Sequence, residues 1–513
     1  MPTRHRRTTR HLIAAGTVVT TVVTATACSG TSGSSKGADG PLVFGISADA
    51  SQLLPWTATA IQSQQVLGQV YSSLLEQDNH LLPGAGLADM PDVSKDGKTY
   101  TFTLRSGLTF TDGSTLDSSD VKYSIDKVLD PATKAVARTS LSAVKSVSAP
   151  DAHRIVIKLK KPDASLLAAL SSVNTAILPS NKPLASLKKK PLGSGPYAYK
   201  SRKPNQSISL VRNPHFYRSR PGLSALEFRV IEDQNSMVSA LRSGAVDMAI
   251  FDDYVTTKTA KSDNVTIQTV DQLNYHALQM RPDSSTFQNT DVRLAIQCAI
   301  DRKQVVKTAA LGQGDVVGPI TSPGYASDPD ARPCPSRDLK AAKKHLAAAG
   351  KSDGFTFTAI VPQGLYSSAS DEAQNIQSQL ASAGITMKIE TLDSSAYVDR
   401  WLAGKFDAAI ALNGAGADPA TTYTRYFTSS GNFNKVAGYH SENLDKLFAD
   451  GIATTDISER REVYQKISRE LEDKAAWVWL YSGRQYIATN TRVHGFQPVT
   501  DGSLQSLWET TLA

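Results

Sequence analysis

The sequence predicts an α/β protein built from large, interleaved domains. Three observations carry this prediction. Short runs of alternating apolar and polar residues recur along the chain, stretches with a period near 3.6 separate them, and no Gly/Pro-rich linker cuts the chain into beads. At 513 residues the chain exceeds one ordinary core, so two or three domains are expected.

Leu42–Ile46 is a β-prone run, and 60–75 reads as a helix because Ile61, Val66, Val70 and Leu74 are spaced near one helical turn. Asp96-Gly97 suits a tight turn, after which Tyr100, Phe102 and Leu104 alternate with Thr101, Thr103 and Arg105 as a half-buried strand. A second turn at Asp112-Gly113 leads to a helix. There Asp117 is the cap, Asp120 completes a capping box, Val121, Ile125 and Val128 form the inner stripe, and Pro131 sets the limit. Arg154–Leu159 alternates as a strand, 198–210 is mainly extended, and 225–231 is another strand. A short helix at 236–243 precedes extended Ala249-Ile250, and 288–310 reads as one helical pattern. Then come a helix at 340–349 stopped by Gly350, strands at 355–360, 385–389 and 406–411, and a helix at 371–383. The last large helix, 457–474, has Val463, Ile467 and Leu471 inward. Arg460, Arg461, Lys466, Arg469, Glu470 and Glu472 fall mostly on the wet side. Trp477 to Tyr481 returns the chain to an extended form.

The first 27 residues read as a processing segment: a basic head, an apolar run at 12–23, then small residues up to Cys28. That run is shorter than a membrane span, and no later stretch is longer. The formal charge of +7 includes Arg4, Arg6, Arg7 and Arg10, so without this segment it falls to about +3. Nucleic-acid binding is not expected, and Lys188-Lys189-Lys190 reads as a solvated turn. The Gly/Ser-rich stretch after Cys28 suits a flexible tether over 28–40. Cys298 and Cys334 are the cysteines that remain. In an oxidising compartment they have one possible pairing, while Cys298 also fits a buried small side chain within its helical pattern.

No catalytic constellation emerges. The phosphate-binding Gly-x-x-x-x-Gly-Lys-Ser/Thr run, the Gly-x-Ser-x-Gly elbow and His-Glu-x-x-His are all missing, and the nine histidines are scattered. In Gly193-Ser194-Gly195-Pro196-Tyr197 the proline lacks an N–H, so this piece suits a close backbone crossing better than a phosphate cradle. No enzyme activity, metal or cofactor is expected.

An ordered set of segments resembles the bacterial extracellular solute-binding proteins of family 5, the peptide/nickel class of importer receptors. The set opens with Asp96-Gly97-Lys98-Thr99-Tyr100-Thr101-Phe102-Thr103-Leu104-Arg105, Phe110-Thr111-Asp112-Gly113 and Ser119-Asp120-Val121-Lys122-Tyr123-Ser124. It continues through the 193–197 glycine piece, Asn213-Pro214-His215-Phe216-Tyr217, Asp291-Val292-Arg293-Leu294-Ala295-Ile296 and Ala299-Ile300-Asp301-Arg302. Asp418-Pro419, Asn443-Leu444-Asp445 and Glu459-Arg460-Arg461 close it. Ala25-Thr26-Ala27-Cys28 similarly resembles a lipoprotein signal, which implies acylation of Cys28 and anchoring at the outer face of the cell membrane.

The resemblance implies a two-lobed periplasmic-binding-protein-like fold, type II and cluster C-like, with an extra α/β subdomain on lobe 1. The expected layout is signal peptide 1–27, tether 28–40, lobe 1 over 41–273 with the subdomain at about 83–195, lobe 2 over 274–485, and a return to lobe 1 over 486–513. Crossovers would lie near 274–280 and 481–488. The implied function is capture of a small solute, most simply an oligopeptide or modified peptide, for the permease subunits of an ATP-driven importer, by a monomer. A nickel chelate, glycoside or opine-like solute, or a surface sensor or scaffold role, are the alternatives. Gly45, Ile46, Ser47 and Ala48, with Asn413, Gly414, Ala415, Gly416 and Ala417, would offer backbone groups to a ligand strand. Trp56, Tyr71, Tyr275, Tyr397 and Trp401 are candidate cleft aromatics, each of which reads equally as core packing. Peptide receptors of the family place a large residue at Leu412 and an acid at Ala415, where it meets the ligand's α-amine. Asp418 itself matches. The missing acid points away from a free-dipeptide receptor.

Overall fold

Leu42–Ile46 is buried along its whole length because it lies between two parallel neighbours, Ala225–Val230 and Met248–Phe251. A strand covered on both faces and both edges needs an unbroken apolar run. The structure is a computed structural model that describes residues 40–513, so the expected signal peptide, Cys28 and nearly all of the tether lie outside the described residues. Among the described residues no helix is long and apolar enough to cross a membrane.

One eleven-stranded sheet organises the chain. At one end stand Tyr197–Lys203, Ser207–Arg212, Ala225–Val230, Leu42–Ile46 and Met248–Phe251; at the other stand Ala408–Asn413, Phe355–Gln363 and Ile385–Asp393. Two long antiparallel strands, Val265–Met280 and Trp477–Asn490, join the ends. Val265 to Asp271 pairs with Asn490 to Arg484 beside the first group, and Tyr275 to Gln279 pairs with Ser482 to Trp477 beside the second. The ladder breaks register between Asp271 and Tyr275, and the Ser482 hydroxyl donates to the carbonyls of Gln272 and Asn274 there. The fold is two-lobed α/β, with this irregular step where the lobes join.

Alternation along the shared strands distributes the second lobe's core. Leu278, Met280, Val478 and Leu480 enter one apolar cluster, while Tyr275, Ala277, Trp477 and Trp479 enter another on the opposite face. The continuous Trp477–Leu480 run is therefore a strand buried on both faces. In the first lobe, a four-stranded sheet (Asp92–Val93, Thr99–Thr103, Arg154–Leu159, Val144–Asp151) shares a single apolar cluster with the strands near the N-terminus. Its helix Ser118–Leu129 starts with the capping box expected of Asp117 and Asp120.

Several elements depart from the sequence pattern. The helix expected over 60–75 spans Ile61–Val70 only. The Val70 carbonyl, which a longer helix would give to Leu74, accepts from Gly195 N–H at 2.9 Å instead. The single pattern over 288–310 is two helices, Thr290–Ala299 and Arg302–Ala309, because the Asp301 side chain accepts from Gln304 N–H and starts a new one. On the helix Ile457–Asp473, Arg460 and Glu472 are buried rather than wet. Each has partners from distant elements: Asp418 for Arg460, and Arg332 and Gln297 for Glu472. Cys298 and Cys334 are joined by a disulfide with Cα atoms 5.1 Å apart.

The glycine piece does make a close backbone crossing. A Cβ on Gly195 would stand 2.6 Å from the Val70 carbonyl carbon and 2.7 Å from the Gln69 oxygen, both main-chain atoms. Gly195→Ala is expected to cost about 1–3 kcal/mol by forcing the two backbones apart. A chemical-denaturation midpoint unchanged from wild type would contradict this.

Candidate functional site

Two cavities meet where the lobes face each other, and Ala417 and Asp501 line both. The first, about 430 Å³, is walled by Gln65 and Gln69 of the helix Ile61–Val70, by Tyr71 at its C-terminal end, by residues near Ser172, and by the C-terminal segment 501–508. The second, about 800 Å³, lies over the irregular step of the long strands. Its wall includes Gln272, His276, Tyr481 and Arg484 from those strands, Asp252 and Asp253 from one side, and Leu412 and Ala415 to Ala417 from the other. Volumes of this order suit a small organic solute.

The lobe 2 wall is a packed polar cluster. His276 stacks on Tyr481 with ring centroids 4.2 Å apart and planes within 7°, and its Nδ1 lies 2.8 Å from Glu372 Oε1. The Tyr481 and Ser368 hydroxyls donate to the same oxygen at 2.7 and 2.6 Å. Burial, with the Glu372 carboxylate adding to it, pushes the Tyr481 hydroxyl far above its ordinary pKa, so it stays a donor. At the joint, Arg484 is held by Asp315 at 2.8 Å and Asp271 at 3.7 Å.

The loop after Ala408–Asn413 is fixed from below. Asp418 caps the helix Pro419–Phe427 by accepting from Ala420 N–H at 2.9 Å, and its two oxygens accept from Arg460 at 2.5 and 2.9 Å. Both side chains are under 5% exposed. Burial opposes the Arg460 charge, but the Asp418 carboxylate outweighs it and holds the guanidinium above its ordinary value. Ser322 donates to the Gly416 carbonyl at 2.6 Å, which ties the loop to the segment before the disulfide's second cysteine.

The sequence-predicted residues separate into two groups. Tyr71, Ala417 and Asp418 line the first cavity; Leu412, Ala415, Gly416 and Ala417 line the second. Gly414 stands beside Asn274, outside both linings. Gly45 lies in the middle of the sheet with strands on both sides, so it has no free edge for a ligand strand, and Ile46 pairs with Val230 on one side; neither lines the two cavities. Ser47 and Ala48 are exposed beyond them, away from both cavities. Trp56 has no exposed surface and donates to the Ala176 carbonyl at 2.8 Å in the first-lobe core. Tyr275 stacks on Tyr423 in the second-lobe core, where Tyr397 also lies and donates to Ile410 O at 2.7 Å. Trp401 is half-buried against Phe433 and donates to Gln279, whose amide in turn donates to Asn413. Aromatics fill the cores of both lobes from a strand, a helix and a turn alike, so composition alone could not separate these from a cleft wall.

Sequence reasoning missed Asp252, Asp253, His276 and Asp501. Thr500-Asp501-Gly502 carries only the signal of a turn, and the structure makes it one, with Gly502 at φ +74° and its N–H donating to Val499 O.

The model for bacterial extracellular solute-binding proteins, family 5 Middle, matches residues 83–435. The oligopeptide-binding protein AppA of Bacillus subtilis is 28% identical, the match covering 92% of this chain and 93% of that protein. Among solved structures, HbpA2 from Haemophilus parasuis superposes with a TM-score of 0.83 at 22% identity, covering 92% of this chain and all of that one. The unliganded open form of the periplasmic murein tripeptide binding protein MppA gives 0.83 at 20% identity, covering 92% and 97%.

Proposed function

Since this chain belongs to the bacterial extracellular solute-binding proteins of family 5, we propose that its cleft captures an oligopeptide or modified peptide for an ATP-driven importer. The family membership makes it an extracytoplasmic solute-binding protein that hands a small ligand to permease subunits. The peptide class rests on one observation above others: two adjoining cavities of about 430 and 800 Å³ between lobes joined by paired strands. Together they offer room for a chain of several residues. The relative AppA, named for oligopeptide binding, supports the same class.

Lobe 1 is proposed as 41–273 with 486–513, its subdomain at about 83–195, and lobe 2 as 274–485. Cys28 is proposed as the lipidated anchor, on the strength of its signal-like flank. Ligand binding would draw the lobes together and shift the population toward a closed form that the permease distinguishes from the empty one.

A peptide-library thermal-shift screen tests the assignment. A binder at a hundredfold excess over its Kd is expected to add about 2.7 kcal/mol of stability, with a smaller radius of gyration by X-ray scattering. If peptides of every length leave the melting midpoint unmoved while a sugar or metal chelate raises it, the peptide class is wrong.

A further inference from the structure

We infer that the cleft takes a cationic solute, whose ammonium or guanidinium group is held by Asp501. This rests on the cleft being the solute site, and it names the charge class of what enters.

The two cavities are lined by five carboxylates, Glu76, Asp252, Asp253, Asp418 and Asp501, against one arginine and no lysine. Pairing settles most of these charges. Glu76 is bound by Arg218 at 2.6 Å, and Asp418 by Arg460. The lining arginine, Arg484, is occupied by Asp315 and Asp271, neither of which lines these two cavities. The lining histidine, His276, turns Nδ1 to Glu372. Asp252, Asp253 and Asp501 are left with no arginine or lysine partner among the described residues. The cleft therefore carries uncompensated negative charge, which favours a cation and repels an anion.

Asp501 is set apart from the other two by position. Asp252 and Asp253 are exposed, and Asp253 caps the helix Tyr254–Ala260. Asp501 stands at the junction of both cavities, which Ala417 of the facing lobe also lines without offering a charge. Its turn is rigid: Gln65 donates to Gly502 O at 2.8 Å and Gln69 to Leu504 O at 2.9 Å. Ser503 N–H donates to Asp501 Oδ1 at 2.9 Å, and the Ser503 hydroxyl and Asp501's own N–H also face the carboxylate, so every donor the turn supplies is neutral. Burial raises the Asp501 carboxyl above its ordinary pKa, as expected of an acid that lacks its counterion. A bound cation supplies that counterion and favours the ionised form.

The test is calorimetry and melting of the purified protein and of Asp501→Asn. The probes are a pool of free-amine tri- to nonapeptides, the same pool N-acetylated with and without lysine and arginine, and the non-peptide cations arginine amide and spermidine. The expected result is binding of free-amine or basic peptides, lost by about 30-fold or more both on removing the ligand's cation and in D501N. Acetylation separates an α-ammonium from a side-chain cation as the source. Empty D501N is expected to melt at or above the wild-type temperature at neutral pH, because a half-buried acid without a counterion is replaced by a neutral amide. If only the non-peptide cations bind, and D501N abolishes it, the peptide class falls while this inference stands. Neutral acetylated peptides binding as tightly as free ones, D501N binding unchanged, no cation binding, or an empty D501N that melts several degrees lower would each overturn it.

Discussion

Asp418→Ala is expected to destabilise the protein by about 3–5 kcal/mol and to loosen the cleft loop above it. The substitution strands Arg460, whose guanidinium is 4% exposed and donates to both Asp418 oxygens. What remains around it is polar but neutral: the Tyr325 and Tyr464 hydroxyls at 3.1 and 3.2 Å and the Gly451 carbonyl. An isolated buried charge is far costlier than the pair is favourable, so the loss comes mainly from what is left behind. The helix Pro419–Phe427 also loses its cap, which contributes about 1 kcal/mol. Removing both charges, as D418A with Arg460→Met, is therefore expected to cost less than D418A alone. Urea midpoints of the two single variants and the double variant check this; a double variant less stable than D418A would contradict it.

Loss of the Cys298–Cys334 bridge is expected to cost about 2–4 kcal/mol, since it closes a loop with a sequence separation of 36 residues. C298A/C334A is the suitable variant, because Cys298 is fully buried and serine there would add a hydroxyl to an apolar cluster. The enclosed segment includes Ser322, which holds the Gly416 carbonyl, and Tyr325, which accepts from Arg460. Faster amide exchange is thus expected around 414–418 as well as a lower denaturation midpoint. Unchanged exchange there would mean that the bridge does not support the cleft loop.

Local chemistry was legible in the sequence; long-range commitments of single groups were not. The capping box at Asp117, the alternation at Tyr100 and Phe102, and the apolar run from Trp477 are each decided by neighbours in sequence, and each forms as expected. The helix at 61–70 stops where a glycine more than a hundred residues away takes its carbonyl, which no window around Val70 contains. Arg460 and Glu472 look solvated by periodicity because their partners lie on other elements. The candidate site divides in the same way. The loop Leu412 to Asp418 was found through an ordered motif, whereas Asp501 has the local signature of any turn. It becomes a cleft residue only because the C-terminal return packs on Gln65 and Gln69.

The unbroken passage of Val265–Met280 and Trp477–Asn490 through both lobes has a consequence for how this protein can vary. A strand's side chains point alternately up and down, so parity must be kept within each regular stretch between the breaks at Asp271 to Tyr275 and His276 to Ala277. Losing or gaining one residue at the step from Asp271 to Tyr275 would turn the far half of that strand inside out, sending Tyr275 and Ala277 toward the cluster that now holds Leu278 and Met280. Variation at the joint is therefore confined to exchanging one side chain for another, while the surface loops remain free to change in length.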